Sequence, residues 1–408
     1  MTRAAGDQLE VAVTYWPADV GPYMWHEFRP ENVARDLAAI TALRIPVVRL
    51  LLSWDAFMPT DRRPHPRRMR DLEAVLDLAR GLGLRVVLTL FAQSLGDCVM
   101  LPGYAVDGRA PRTGVRCLTD GRPVPGGPRD IYDDPLMLEV QVRWLDAMLA
   151  AFAHHPALEA WDLGYDPATT VRPRRTAQMA TWCALLAERV HAQEEECRLT
   201  LGQDDVVTAR GVRPGALASS VDVVGLLLAP HRLPLAGDAL EPGRAVFVLE
   251  LAQALAGRGT ALAAEVSLPG GEVTREGTAA GSHIDDVTAP PAAARRATDQ
   301  LVQRLVASGA ASLGCAAWAD WGARLHEAPP SDRMPWLANV GIVDSAGVSK
   351  PVAGVWENLA ARDTTVATAS PYPASIDVES YYANLPDSLH DLHASWQGDR
   401  GDTPAILG

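Results

Sequence analysis

The chain has 408 residues, of which 48% are hydrophobic and 21% charged, and its formal net charge is −13. This is enough material for one large domain or two ordinary ones, and the composition excludes global disorder. The negative balance argues against nucleic acid as a partner, because phosphates need a basic surface.

Five cysteines, Cys98, Cys117, Cys183, Cys197 and Cys315, form no CxxC or other zinc spacing. They read as free thiols of a reducing compartment, with a local Cys98–Cys117 bridge as the alternative. The polar segment Met1–Glu10 carries no apolar signal core, and no stretch approaches the ~18 apolar residues of a membrane helix. A cytoplasmic protein without a membrane partner is expected.

In chain order, Leu9–Trp16 reads as a first strand closed by Pro17. A helix opens at Pro30, with Val33, Leu37, Ile40 and Leu43 at helical spacing. Pro46–Trp54 is a second strand, apolar on both faces as a covered parallel strand would be. Arg49 inside it needs a buried partner. A helix over 66–82, a strand over 85–91 and a Gly/Pro-rich segment over 93–134 follow. Then come a helix over 135–154 and the strand Leu158–Gly164, which delivers Tyr165-Asp166-Pro167. The alternation continues with helix 174–194, strand 198–202, a short helix near 214–219, strand 221–228, helix 244–256 and strand 260–266. A loop over 267–290, helix 291–307, strand 311–318 and helix 350–362 complete it.

Eight strand–helix units predict a parallel sheet with right-handed crossovers and a single (β/α)8 barrel over residues 1–362, with long loops after strands three and seven. Residues 363–408 read as an extension or tail, not as a second domain. An open doubly wound sheet is the alternative. It is disfavoured because Trp16–Gly21 after the first strand is not GxGxxG.

A parallel barrel places its site at the C-terminal ends of the strands. Those ends offer Trp16, Arg49, Trp54, Gln93, Asp162, Tyr165, Asp166, Gln203, Asp204, Asp205, His231, Glu265, Trp318, Asp320 and Trp321. Carboxylates on strands four and seven suit glycoside hydrolysis, in which one acid protonates the leaving oxygen and the other attacks the anomeric carbon. Indole and phenol rings offer stacking surface to sugars.

Several motifs resemble glycoside hydrolase family 5, the cellulase- and mannanase-like enzymes, and its clan A relatives. They are Tyr15-Trp16-Pro17-Ala18, Val48-Arg49-Leu50 with Trp54, Val87–Phe91, His155–Gly164, Ala263-Ala264-Glu265, Trp318-Ala319-Asp320 and Gly341–Gly347. The resemblance spans about residues 9–361. It implies a retaining mechanism with Glu265 as nucleophile, Arg49 fixing it and keeping it ionised, and the acid/base on strand four. There the chain departs from the family: Asp166 stands for the glutamate and Tyr165 for the preceding asparagine. Leu227-Leu228-Ala229 stands for His-x-Tyr on strand six, strand three lacks a histidine after Phe91, and Ala316 stands for the strand-eight tryptophan, with Trp318 nearby. The implied substrate contacts are Arg49, Trp16, Trp54, Tyr165 and Trp318, the implied partner is an oligo- or polysaccharide, and no cofactor or metal is implied.

The plainer readings are an Arg49–Glu265 structural ion pair, Asp166 as a local cap, an internal hydrogen bond for Asp162, solvated loop acids at Asp204-Asp205, and core packing for Trp16 and Trp54. Two functions follow: a retaining β-glycosidase with a shortened acid, or a non-catalytic carbohydrate-binding or scaffold protein on the same barrel.

Overall fold

The computed structural model describes residues 5–91, 94–110, 114–238, 240–257, 259–270 and 289–400. Eight parallel strands close into a barrel in chain order. They are β1 (Glu10–Thr14), β2 (Val47–Leu51), β3 (Arg85–Phe91), β4 (Leu158–Tyr165), β5 (Cys197–Gly202), β6 (Val223–Leu228), β7 (Ala261–Val266) and β8 (Ser312–Cys315). Closure is made by β1 pairing with β8, Glu10 opposite Ser312 and Val13 opposite Cys315. The main helices between and after them are α1 (Pro30–Ala42), α2 (Pro66–Gly81), α3 (Pro135–Phe152), α4 (Thr176–His191), α5 (Pro214–Ala218), α6 (Pro242–Ala256), α7 (Pro291–Ala307) and α8 (Ala353–Ala360). Proline at the first helical position begins six of them, where its missing N–H costs no bond. Asp134 caps α3 by accepting from the N–H groups of Leu136 and Met137.

Strand alternation sends apolar residues outward to the helices and a column of polar ones inward. At the base, Arg198 donates to both oxygens of Glu10 at 2.7 and 3.0 Å, and Ser312 donates to the same carboxylate at 2.9 Å. Two residues further along β5, Thr200 meets Arg49 and Asp162. Arg49 donates to the Thr200 hydroxyl at 2.9 Å and pairs with Asp162 at 3.1 Å. Asp162 also accepts from the Thr89 and Thr200 hydroxyls at 3.1 and 2.9 Å. Removing one partner of such a buried pair strands the other charge, at a cost of about 3–5 kcal/mol.

Outside the barrel, Trp54 is part of an aromatic core with Phe91 and Trp144, stacked on Trp144 at 6.3 Å. After α8, the chain adds α9 (Val378–Ala383) and α10 (Asp387–Arg400), which dock on the barrel. The hydroxyls of Tyr381 and Tyr382 donate to the carbonyls of Val206 and Asp205 at 3.0 and 2.8 Å, and the Trp396 indole donates to Glu250 of α6 at 2.8 Å. All five cysteines are buried, and none is in a disulfide among the described residues. No described helix is long and apolar enough to cross a membrane.

Candidate active site

At the C-terminal mouth of the barrel lies a cavity of about 150 Å³. Glu265 from β7 and Tyr165 and Asp166 from the end of β4 line it, with Trp16, Trp321 and Trp336 around them. The expected acids therefore share one cavity.

Glu265 is buried and held by three groups. The Thr14 hydroxyl donates to Oε2 at 2.8 Å, the Arg49 Nε lies 3.5 Å from the same oxygen, and the Tyr165 hydroxyl donates to Oε1. Burial nevertheless outweighs these three groups and moves the carboxyl above its usual range. Arg49 itself does not line the cavity. It sits beneath, shared between Glu265 and Asp162, so its role is to hold Glu265 rather than to touch a ligand.

Tyr165 reaches Glu265 because β4 breaks register. Against β5, Asp162 is opposite Arg198 but Tyr165 is opposite Thr200, three residues on one strand against two on the other. Strict alternation from the inward Asp162 would turn Tyr165 outward. The bulge turns it back over the barrel mouth. The next residue, Asp166, has φ 50°, in the left-handed region that aspartate tolerates better than most residues.

The Asp166 carboxyl lies against β5. A Cβ built on Gly202 would fall 2.4 Å from its Oδ1, so only glycine leaves this carboxyl its place. That Oδ1 is buried without a hydrogen-bond partner. Burial first, and then the charge of Asp205, push Asp166 well above the carboxylate range, with Thr169 partly offsetting them. Asp205 is buried and not the solvated acid expected from sequence. Its Oδ1 accepts from the Val212 N–H at 3.0 Å, its Oδ2 has no partner, and burial pushes it up to about 7. Asp204 is exposed.

The aromatic wall differs from the expected one. Trp16 lines the cavity and tilts on Trp321 at 5.8 Å. Trp54 and Trp318 do not line it: Trp54 faces the helices, and Trp318 packs into the main core. The last strand ends at Cys315, so Ala316 and Ala317 face the cavity while Trp318 has already turned away. Sequence reasoning passed over Thr14, which resembles an ordinary strand residue, and Trp336, which lies on a 3-10 turn over Pro335–Asn339 with no periodic signal. Trp321 was visible only as one of several strand-end residues.

Of the segment after β3, Ser94, Leu95 and Gly96 line the cavity. Arg116 ties this segment to the Trp336 side, bridging Asp97 at 2.7 Å and Asp332. Gln93 and residues 271–288 of the loop after β7 lie outside the described residues. Among the described residues, His26, Asp55 and Asp120 stand close enough to hold a metal. None of them lines the cavity, and Asp55 Oδ2 already meets His26 at 3.0 Å and the Asp120 N–H at 2.8 Å.

No protein-family model matches the sequence, and no curated protein matches it significantly. Solved structures match the fold. A GH5_18 protein from Streptomyces cattleya, in complex with GlcNAc, superposes with a TM-score of 0.76 at 16% identity, covering 98% of this chain and 92% of that one. A variant of it is in complex with Manβ1-4GlcNAc. The exo-β-1,4-mannosidase Op5Man5 from Opitutaceae bacterium strain TAV5 superposes at 0.69 with 19% identity over 88% of this chain, which spans 60% of that protein. A GH5_18 protein from Bifidobacterium longum subsp. infantis superposes at 0.71 with 14% identity over 89% of this chain and 81% of that one. The chain thus has the (β/α)8 fold seen in family 5 and other clan A glycoside hydrolases.

Proposed function

We propose that the protein is a retaining β-glycosidase that removes a terminal sugar from short β-linked glycans, with β-mannosides the first substrates to try. The observation that carries this reading is the pairing of two unlike acids on one cavity: Glu265 clamped by Thr14, Tyr165 and Arg49, and Asp166 buried with an unpartnered oxygen. The cavity is smaller than the ~300–1,000 Å³ of most ligand pockets, which fits one or two rings rather than a long chain. Manβ1-4GlcNAc and GlcNAc in the GH5_18 structures suggest which rings.

On this reading, Glu265 attacks the anomeric carbon while the Asp166 carboxyl gives its proton to the departing oxygen, leaving a glycosyl ester on Glu265. Asp166, now a carboxylate, takes a proton from water as the water oxygen attacks the same carbon. The ester bond breaks, Glu265 regains its charge, and the sugar keeps its β configuration. Trp16, Trp321 and Trp336 supply the ring faces.

A second reading, carbohydrate binding without turnover, draws on Asp166 lying against Gly202 and beside Asp205. One experiment separates the two. Manβ1-4GlcNAc is incubated with wild type and with Glu265→Gln, and products are followed by NMR. Release of β-mannose by wild type alone supports the enzyme. Saturable binding with no product from either protein supports the second reading.

A further inference from the structure

Beside the barrel mouth, the loop after β4, the loop before α5 and the helix α9 enclose a second cleft, of about 940 Å³. Five arginines line it: Arg172, Arg174 and Arg175 from the first loop, Arg210 and Arg213 from the second. Only one acid, Glu379 on α9, joins them. This is unusual on a chain of net charge −13.

The pairing of these cations is uneven. Arg213 is fixed: it bonds Glu379 at 3.2 and 3.3 Å, and its guanidinium lies 4.3 Å over the Tyr382 ring. Arg174 has only a loose approach to Asp130, at 3.8 Å. Among the described residues, no carboxylate forms an ion pair with Arg172, Arg175 or Arg210. Like charges gathered in a concave wall repel one another and focus a positive potential on what enters. Guanidinium forks match the oxygens of a phosphate in geometry and charge, and a dianion with three free oxygens can engage several forks at once. The volume leaves room for a body beyond the phosphate, and Val212, Ala216 and Leu255 give it an apolar floor.

We propose that this cleft binds a phosphate monoester of a small polar molecule, at a site separate from the barrel mouth. The test is calorimetric titration of the full chain with a hexose 6-phosphate, inorganic phosphate and the neutral hexose, at ionic strength fixed with chloride. Wild type, Arg172→Gln/Arg210→Gln and Glu265→Gln are compared. The two arginines are exposed, so the double variant should keep the wild-type Tm and circular dichroism. If it does not, Arg210→Gln alone serves. The ester is expected to saturate wild type and Glu265→Gln alike at sub-millimolar concentration, and to bind the arginine variant about tenfold more weakly or less. No saturable binding, binding unchanged in the arginine variants, an equal response to the neutral hexose, or equal affinity for inorganic phosphate would each overturn it. Because Glu265→Gln keeps this site, its failure is read independently of any glycosidase activity.

Discussion

The two acids of the barrel mouth are built in opposite ways. Around Glu265, strands β1, β2 and β4 each contribute a donor, and the charged form is the one they stabilise. Around Asp166, Gly202 of β5 contributes a bare surface and Asp205, just beyond β5, another buried acid; burial and that charge outweigh the Thr169 hydrogen bond, and the neutral form is favoured. A carboxylate that must attack needs a fixed charge. One that must donate needs its proton held toward neutral pH. On the proposed mechanism, two side chains of nearly the same chemistry would divide two roles by their surroundings.

The hardest test of that contrast is Glu265→Gln, which removes the proposed nucleophile. Turnover of aryl β-mannosides is expected to fall about a thousandfold or more, with circular dichroism unchanged; a smaller loss would place the nucleophile elsewhere. Asp166→Asn should come next, lowering turnover of Manβ1-4GlcNAc by about a hundredfold or more. Aryl substrates with good leaving groups should suffer much less, so equal losses on both would deny Asp166 its proton-donor role. Tyr165→Phe deletes a hydrogen bond to a charged group, worth about 1.5–3 kcal/mol, and should cost roughly tenfold to a hundredfold in kcat. Because the phenol lowers the Glu265 pKa, its loss should also move the acid limb of the pH profile to higher pH.

Asp205→Asn should have the smallest effect. It keeps an acceptor for Val212 but removes the charge that raises Asp166, so the alkaline limb should shift to lower pH with little change at the optimum. The same variant has a stability signature. An acid whose folded pKa is raised makes folding less favourable as pH climbs through that value, and for Asp205 the window runs from about 4 to about 7. Thermal melts should show a gain in Tm over wild type above this window and none below it.

Much of this was legible in sequence. Regular alternation of apolar runs and helical spacing set the barrel, and Arg49 inside a buried strand announced a buried acid, which proved to be both Asp162 and Glu265. Strand-end position did not reveal which way a side chain turns. Trp54 and Trp318 sit at the right height but face the helices and core, whereas Tyr165 faces inward only because of a bulge that no periodicity announces. Two of the three indoles that line the cavity, Trp321 and Trp336, come from irregular chain after β8, placed by tertiary contacts such as the Asp332–Arg116 bridge. The burial of Asp205 was hidden for a similar reason. Helix α9, more than a hundred positions later, packs there, its Tyr382 hydroxyl donating to the Asp205 carbonyl.

The sharing of Arg49 between Asp162 and Glu265 bears on how long a glycosyl ester would survive. Esterification erases the negative charge of Glu265, yet Arg49 keeps Asp162 at 3.1 Å and is not left without a counter-ion. The guanidinium nonetheless favours the return of the lost charge. It would make Glu265 a better nucleofuge, so that on the proposed mechanism the column that anchors the attack would also hasten the departure.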